Sequence, residues 1–326
     1  MSKRQTNQTI WNRLRRGLAA LLSLALLVGL LPAAVAPAQA HWADSYVNTL
    51  VDWGVMRGDI NGNMAPQRNI TRAEFVAMMN RAYGYTRTAG HPFTDVSVRD
   101  WFSDDIDIAY NMGYFKGTSA TTASPNDTLT REQAAVLLSR NMMLQPTVGE
   151  TLGFSDTRSL SDWSRGLVGA AAADGIISGY SDGSFQPKRN ITRGEVAAML
   201  VRAIGTPINT SGDHLLGDVY GNVTVNTSGV KLRDGTIAGN LYLTGGIDLG
   251  DVLLENVNVL GEIIISGGGE SSSSQSSILL RNVTADKMLV DSISQQFVTI
   301  RAEGNTDIPT TTVRTNAYVD DSSLPG

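Results

Sequence analysis

The spacing of apolar residues divides the chain into a helical part and a β part. In the first part, apolar residues recur at the i, i+1, i+4 and i+5 spacing of one buried helix face. Examples are Tyr46, Val47, Leu50 and Val51, and later Leu167, Val168, Ala171 and Ala172. From about residue 206 the spacing changes to short runs of alternating apolar and polar residues, which is typical of β-strands. These runs are Val223-x-Val225, Leu241-x-Leu243, Val252-x-Leu254, Val257-x-Val259 and Ile263-x-Ile265.

The helical part contains three copies of one repeat, which align on Trp42, Trp101 and Trp163. In every copy, glycine follows twelve and sixteen residues after the tryptophan, and proline follows twenty-four residues after it. A Thr-Arg pair comes at offsets twenty-nine and thirty, without insertion or deletion. The glycines are Gly54, Gly113 and Gly175 at the first offset, and Gly58, Gly117 and Gly179 at the second. Each copy is therefore predicted to form helix, loop and helix, with the first glycine ending the first helix.

The second helix of each repeat begins with a capping box, in which threonine caps the third helical amide and an acid or amide side chain reaches back. The three boxes are Thr71-x-x-Glu74, Thr130-x-x-Gln133 and Thr192-x-x-Glu195. An apolar residue precedes each threonine at the position of a hydrophobic staple. These residues are Ile70, Leu129 and Ile191. Both features are predicted to fold the repeat rather than to bind a ligand.

An arginine occupies the first helical position after each threonine: Arg72, Arg131 and Arg193. A cation is unfavourable there because it lies beside the positive end of the helix dipole. A guanidinium that converges with free helix N–H groups would, however, make an anion-binding site. We therefore predict that these arginines bind an acidic ligand; the alternative is an intramolecular carboxylate partner.

The first forty residues have the three parts of a secretory signal peptide. Five basic residues, Lys3 to Arg16, precede a predominantly apolar stretch from Gly17 to Leu31, and Ala38-Gln39-Ala40 follows. The apolar stretch is shorter than the roughly 20 residues that span a bilayer. Cleavage is predicted after Ala40, which leaves no transmembrane anchor in the mature chain.

Composition excludes several classes of function. Loss of the signal peptide changes the formal net charge from −5 to −10, which argues against nucleic acid as a partner. The chain has no cysteine, so disulfides and thiolate metal sites are excluded. The histidines, His41, His91 and His214, do not group, so no metal site, catalytic histidine or cofactor is predicted.

The triplicated repeat resembles the S-layer homology domain of bacterial surface proteins. Ile70-Thr71-Arg72-Ala73-Glu74 matches the hallmark of that family, and the other two copies carry close variants. Phe93-x-Asp95 and Phe154-x-Asp156 match the opening segment of the family in copies two and three. The resemblance covers residues 41 to about 205. It implies an all-α bundle in which three repeats pack with pseudo-threefold symmetry.

The resemblance also implies a ligand, since the grooves of that family bind a secondary cell-wall polysaccharide, often one with pyruvate ketals on an amino sugar. Carried onto this sequence, Arg72, Arg131 and Arg193 would engage the acidic group. Trp42, Trp101 and Trp163 would line the grooves, with core packing as the alternative. Gly58, Gly117 and Gly179 would let the backbone approach the sugar, with turn geometry alone as the alternative.

Two departures from the family pattern bear on the grooves. The first copy lacks the F-x-D segment because the predicted cleavage site adjoins Trp42. The loop of copy two replaces the Asn-Gly or Asp-Gly turn of the other copies with residues 118–122. We therefore expect the three grooves to bind unequally, with copy two the weakest, so that Arg131→Ala would cost less affinity than Arg72→Ala or Arg193→Ala.

The β part shows repeats of coil size. Gly221-Asn222, Gly239-Asn240 and Gly261-Glu262 recur at spacings of 18 and 22 residues. Such periods favour a parallel β-solenoid in which each coil stacks on the last. A β-sandwich is the alternative, because short alternating strands occur in both folds.

The predicted organisation is a signal peptide at 1–40, repeats at 41–85, 91–146 and 152–205, and a solenoid-like module at 210–326. We expect a secreted, non-catalytic protein anchored to the cell wall or S-layer through the polysaccharide, with other S-layer subunits as further candidate partners. The alternative is a polysaccharide-degrading enzyme tethered by the repeats. That enzyme would need converging carboxylates, whereas the aspartates of the β part do not repeat at one coil offset.

Overall fold

The structure is a computed structural model that describes residues 41–147, 153–269, 277–292 and 297–323. The predicted signal peptide lies outside these residues. The described residues from Trp42 onward belong to one compact unit.

Six α-helices form the helical part of the described chain, two in each repeat. They are α1 Asp44–Asp52, α2 Arg72–Tyr83, α3 Ser103–Asn111, α4 Arg131–Asn141, α5 Asp162–Ala173 and α6 Arg193–Ile204. Gly54, Gly113 and Gly175 follow the first helix of each repeat with φ of 72°, 73° and 68°. The predicted left-handed helix ends are therefore confirmed.

All three predicted capping boxes are present. Thr71, Thr130 and Thr192 each accept a hydrogen bond from the amide three residues on. The side chains of Glu74, Gln133 and Glu195 in turn accept from the amides of the threonines. The helix starts follow from local sequence, as the pattern indicated.

Replacing Thr192 with alanine is expected to lower the free energy of unfolding by about 0.5–2 kcal/mol, because the Glu195 amide loses its cap. Thr192→Ser keeps the hydroxyl and serves as the matched control. Chemical denaturation of both variants measures the difference. Equal losses in the two variants would show that the cap contributes little.

Hydrogen bonds close the three repeats into a ring. The amide of Ile70 donates to the carbonyl of Ile191 (3.1 Å), that of Ile191 to Leu129 (2.9 Å), and that of Leu129 to Ile70 (3.3 Å). All three side chains are fully buried. This closed cycle confirms the pseudo-threefold bundle and places the predicted staple residues at its axis.

The first amides of the second helices, which the sequence analysis predicted to be free, are hydrogen-bonded in the folded bundle. The Arg72 and Ala73 amides donate to the carbonyls of Asp127 and Pro125 in the next repeat, both at 2.9 Å. The first two amides of α4 and α6 make equivalent bonds. The prediction of free N–H groups beside each arginine was therefore wrong, because a neighbouring repeat supplies acceptors that one repeat cannot show.

The second helices form the centre of the bundle. In α2 the side chains from Phe75 to Ala82 are buried except Arg81, so the helix is covered on all sides rather than on one face. α4 and α6 are buried in the same way. The first helices cover them from outside, and in α1 only Val47 and Leu50 are fully buried.

The β part is a parallel solenoid, in which every pair of neighbouring strands is parallel among the described residues. Its strands are β1 Thr206–Ile208, β2 Gly212–Val219, β3 Val223–Val225, β4 Val230–Ile237, β5 Leu241–Leu243, β6 Val252–Ile265, β7 Ile278–Arg281, β8 Thr284–Val290, β9 Val298–Glu303, β10 Thr310–Val313 and β11 Ala317–Ser323. The β-sandwich alternative was wrong, since sandwiches are built from antiparallel strands.

The predicted coil period is confirmed by a ladder of asparagines. The Asn240 amide donates to Oδ1 of Asn222, 18 residues earlier, at 2.9 Å. The Glu262 amide donates to Oδ1 of Asn240, 22 residues earlier, also at 2.9 Å. Each asparagine thus joins one coil to the next, which explains why the Gly-Asn pair recurs.

The solenoid is joined to the bundle without a linker. Only Gly205 separates α6 from β1. Four solenoid side chains donate to the last carbonyls of α2 and α6, groups that have no partner within a helix. These bonds are Asn226 to Ala82 (2.9 Å), Thr244 to Tyr83 (2.8 Å), Asn222 to Ala203 (3.1 Å) and Thr224 to Ile204 (2.8 Å). Tyr242 and Ile264 of the solenoid also belong to the apolar core of the bundle.

Candidate functional site

The three predicted arginines are buried, with 4–6% of their surface exposed. The Nε atom of each donates to a carbonyl in the loop of another repeat. The pairs are Arg72 with Ala123 (2.8 Å), Arg131 with Phe185 (2.8 Å) and Arg193 with Met64 (2.9 Å). Each arginine therefore serves the loop of the following repeat, and the third repeat returns to the first.

This cyclic pairing changes which arginine belongs to which loop. The loop of copy two, without the glycine turn, packs against Arg72 and not against Arg131. The expectation that Arg131 would be the weakest arginine assumed pairing within one copy, and that assumption was wrong. Sequence order alone does not show how a ring of repeats closes.

Two of the arginines use their terminal nitrogens within the protein. Nη2 of Arg131 donates to the carbonyl of Ser178 at 3.1 Å, and Nη1 lies 3.2 Å from Oε1 of Glu195. In Arg193, Nη2 donates to the carbonyl of Arg57 at 2.8 Å, and Nη1 lies 3.7 Å from Oε1 of Glu74. For these two, the alternative of an intramolecular carboxylate partner is realised.

Arg72 differs from the other two. Beyond its Nε bond, its side chain makes no hydrogen bond or ion pair to any of the residues that the structure describes, and its guanidinium lies 4.8 Å from the ring centre of Phe115. The residue at the position of Glu195 and Glu74 is here Gln133, which carries no charge. The sequence already shows glutamine in place of glutamate in the second capping box. That this glutamine belongs with Arg72, and not with Arg131, follows only from the cyclic pairing.

Arg72 borders an open groove of about 480 Å³, which we call the Arg72 groove. Its lining comes from all three repeats. The lining residues are Arg72, Lys116, Gly117, Thr118, Gln133, Val136, Leu137, Arg140 and Trp163. Three of them are cationic and none is acidic, so the groove can attract an anion while its apolar residues offer a surface for a sugar ring.

The three predicted tryptophans are at the surface. Trp42, Trp101 and Trp163 are 58%, 63% and 54% exposed, so the alternative of core packing was wrong. Trp163 lies in the Arg72 groove. An exposed tryptophan at the same place in each repeat has apolar ring surface available for contact with a sugar.

The loop glycines have a local role. A Cβ atom on Gly117 would lie 2.5 Å from the carbonyl oxygen of Thr122, and on Gly179 it would lie 2.9 Å from that of Ser184. On Gly58 it would lie 2.6 Å from the carbonyl carbon of Gly62. Glycine is therefore required to close each loop, which supports the turn-geometry alternative. Gly117 also lines the Arg72 groove.

The F-x-D segments hold the loops from outside. The Asp95 carboxylate accepts from the amides of Ala123 and Ser124, both at 2.8 Å. Asp156 accepts in the same way from the loop of repeat three. In repeat one, which lacks the segment, Oδ1 of Asn63 accepts from the Ala65 amide at 3.0 Å. Asp95 and Asp156 thus position the loops whose carbonyls, those of Ala123 and Phe185, accept hydrogen bonds from Arg72 and Arg131.

Burial lowers the pKa of Arg72 from its ordinary value, and Asp127 and Asp95 act in the opposite direction. Burial alone would raise the pKa of Glu195, but hydrogen bonds and the neighbouring Arg131 outweigh it, so the pKa lies below its ordinary value. Glu195 is therefore ionised at neutral pH, and its Oε1 atom pairs with both Arg131 (3.2 Å) and Arg189 (3.0 Å). No acidic residue lines the Arg72 groove, although Asp127 and Asp95 lie close enough to act on the charge of Arg72.

Neither a metal cluster nor a membrane-spanning helix occurs in the part of the chain that the structure describes. No group of three or more histidine, aspartate or glutamate residues among these residues could hold a metal ion. Within the same residues, no helix is long and apolar enough to cross a membrane.

Comparison with protein families identifies the helical part. The S-layer homology domain matches residues 35–76, 92–135 and 153–197, which correspond to the three repeats. The presence of three such domains indicates a secreted protein of the cell surface or wall.

Several curated proteins are similar to the chain. The Surface-layer 125 kDa protein of Lysinibacillus sphaericus is 31% identical over 235 residues, which is 69% of this chain and 20% of that protein. The Amylopullulanase of Thermoanaerobacterium thermosulfurigenes is 36% identical over 165 residues, 49% of this chain and 9% of the enzyme. The S-layer protein sap of Bacillus anthracis is 28% identical over 166 residues, 50% of this chain and 20% of that protein. The chain thus spans a fifth or less of the length of these relatives.

Proposed function

Because the helical bundle consists of three S-layer homology domains, we propose that it anchors the chain to the bacterial cell wall by binding an acidic, pyruvylated secondary wall polysaccharide. The observation that carries this proposal is the Arg72 groove, which joins three cations to an exposed tryptophan and holds no acid. Wall anchoring is the role of the domain; the groove supports an acidic ligand, and the pyruvate ketal is what the resemblance to the family implies.

The chemistry of the groove suits a sugar that bears a carboxylate. A guanidinium with free terminal nitrogens can donate two parallel hydrogen bonds to a carboxylate. Trp163, Val136 and Leu137 provide an apolar surface for the ring of the sugar. The ligand would thus be held by its charge at one end and by its ring along the groove.

We further propose that the solenoid is not catalytic. Several of its charged side chains pair with each other from one coil to the next. Arg233 pairs with Asp213 at 2.7 Å, and Arg281 pairs with Glu255 at 3.0 Å and with Glu303 at 3.1 Å. Incubation with purified wall polysaccharide should release no new reducing ends or unsaturated products. Release of either would contradict this part of the proposal.

Anchoring is tested by co-sedimentation of the purified protein with cell walls. We expect binding to intact walls and its loss after the wall carbohydrate is chemically removed. Arg72→Ala should weaken binding about tenfold or more, since charge-assisted hydrogen bonds contribute about 1.5–3 kcal/mol each. Arg99→Ala, at an exposed position outside the groove, is the matched control. Equal binding to stripped walls would overturn the proposal.

A further inference from the structure

A second cavity lies where the solenoid meets the bundle, and we call it the junction pocket. It has a volume of about 220 Å³ and shares no residue with the Arg72 groove. Its aromatic and polar lining residues are Trp53 and Arg81 of the bundle and Asn209, Asn226 and Thr227 of the solenoid. The pocket therefore exists only because the two parts of the chain are docked on each other.

The polar groups of the junction pocket have unused hydrogen-bonding capacity. Nη1 of Arg81 donates to the carbonyl of Val55 at 3.0 Å, and the guanidinium makes no other hydrogen bond or ion pair within the described part of the chain. Nδ2 of Asn226 donates to the end of α2, but its Oδ1 atom accepts no hydrogen bond from any described residue. The side chains of Asn209 and Thr227 have no hydrogen-bond partner among the same residues. Donors and acceptors thus border one small cavity.

The charge of the junction pocket favours a neutral ligand. Arg81 is cationic and no acidic residue lines the pocket, although Asp105 lies close enough to act on the charge of Arg81. Ala82 and Ile204 also line it, and they belong to the last turns of α2 and α6, where the helix dipole is negative. The cation and the two helix ends offset each other, so the pocket has no strong preference for an ion.

We propose that the junction pocket binds one neutral sugar ring. Trp53 is half-buried against the core of the bundle, and its remaining surface can pack on the apolar face of the ring. The amides of Asn209 and Asn226 and the hydroxyl of Thr227 can both donate to and accept from sugar hydroxyls. The volume is below the roughly 300–1,000 Å³ of pockets for drug-sized ligands, so the pocket admits a single ring and not a chain.

This inference is independent of the proposed function, because its ligand is neutral and its site lies outside the Arg72 groove. It makes the solenoid part of a carbohydrate-binding site. A single ring forms few contacts, so we expect a dissociation constant of about 1 mM. Binding of that strength does not hold the chain to a wall, and anchoring remains with the Arg72 groove.

The test is an NMR titration of the mature chain with N-acetylglucosamine. The indole N–H signal of Trp53, assigned by its disappearance in Trp53→Phe, should shift saturably as the sugar is added. Asn209→Ala should weaken binding about fivefold, the effect of losing one neutral hydrogen bond. Asn209 is exposed, so this variant should keep its melting temperature. Asn305→Ala, at an exposed asparagine outside the pocket, is the matched control and should bind as the unaltered protein does.

Absence of a saturable shift at Trp53, or equal affinity of the two asparagine variants, would overturn the junction pocket as a sugar site. A parallel titration with glucuronic acid tests the charge argument, and tighter binding of this acid than of N-acetylglucosamine would overturn the assignment to a neutral ligand. A saturable Trp53 shift in a protein that fails to sediment with intact walls would overturn the proposed function and leave the junction pocket standing.

Discussion

Replacement of Leu129 with alanine is expected to lower the free energy of unfolding by about 2–5 kcal/mol, the range for truncating a buried leucine. Leu129 lies fully buried at the axis of the bundle, where its backbone joins Ile70 on one side and Ile191 on the other. A cavity there borders all three repeats, so neighbouring side chains cannot fill it by moving one helix. Chemical denaturation followed by circular dichroism measures the loss.

The matched control is Ile60→Ala, which removes an apolar side chain of similar size from a fully exposed position. Its effect should stay within about 0.5 kcal/mol, as is usual for surface sites. A loss for Leu129→Ala no larger than that of the control would show that the ring of hydrogen bonds, rather than the packed side chains, stabilises the axis.

The parts of the fold that depend on neighbours in sequence could be predicted. Thr71 and Glu74 are three residues apart, so local geometry fixes their capping box and the sequence alone predicts it. The same holds for Gly54, whose left-handed conformation ends a helix that its own repeat defines. Because the capping box and the glycine occur at the same offsets in all three repeats, the prediction of these helix boundaries rests on three independent copies.

The closure of the ring could not be predicted in this way. Which loop receives Arg72 depends on the order of repeats in space, and residues 72 and 123 share no local pattern. An argument from the helix dipole therefore predicted free amides beside Arg72, whereas the next repeat supplies the carbonyls of Asp127 and Pro125. The sequence therefore identified the arginines and tryptophans of the candidate site, but it did not identify the residues of the neighbouring repeat that contact the arginines.

In the solenoid, too, the local repeat could be predicted from the sequence and the contacts with the rest of the fold could not. Its coil period follows from Asn222 and Asn240, whose side chains bond the next coil at the spacing that the sequence shows. Its docking onto the bundle rests on Thr224 and Thr244, which read as ordinary strand residues. Only the structure shows that their hydroxyls donate to the last carbonyls of two helices.

This docking leads to a prediction for Gly246, where the solenoid packs against the end of α2. A Cβ atom on Gly246 would lie 2.5 Å from the carbonyl oxygen of Tyr83 and 2.6 Å from that of Asn226. Both contacts are with backbone atoms, which cannot swing aside as a side chain can. Gly246→Ala is therefore expected to lower the free energy of unfolding by about 1–3 kcal/mol, the cost of overpacking a tight contact.

Gly221→Ala is the matched control, because a Cβ atom there meets no atom within 4 Å. Its stability should be close to that of the unaltered protein. Since the contact of Gly246 joins bundle and solenoid, we also expect Gly246→Ala to leave binding to cell walls unchanged, as the Arg72 groove contains no solenoid residue. Equal stability of the two glycine variants would show that the junction relaxes freely, and that the helix-end hydrogen bonds do not fix the solenoid in place.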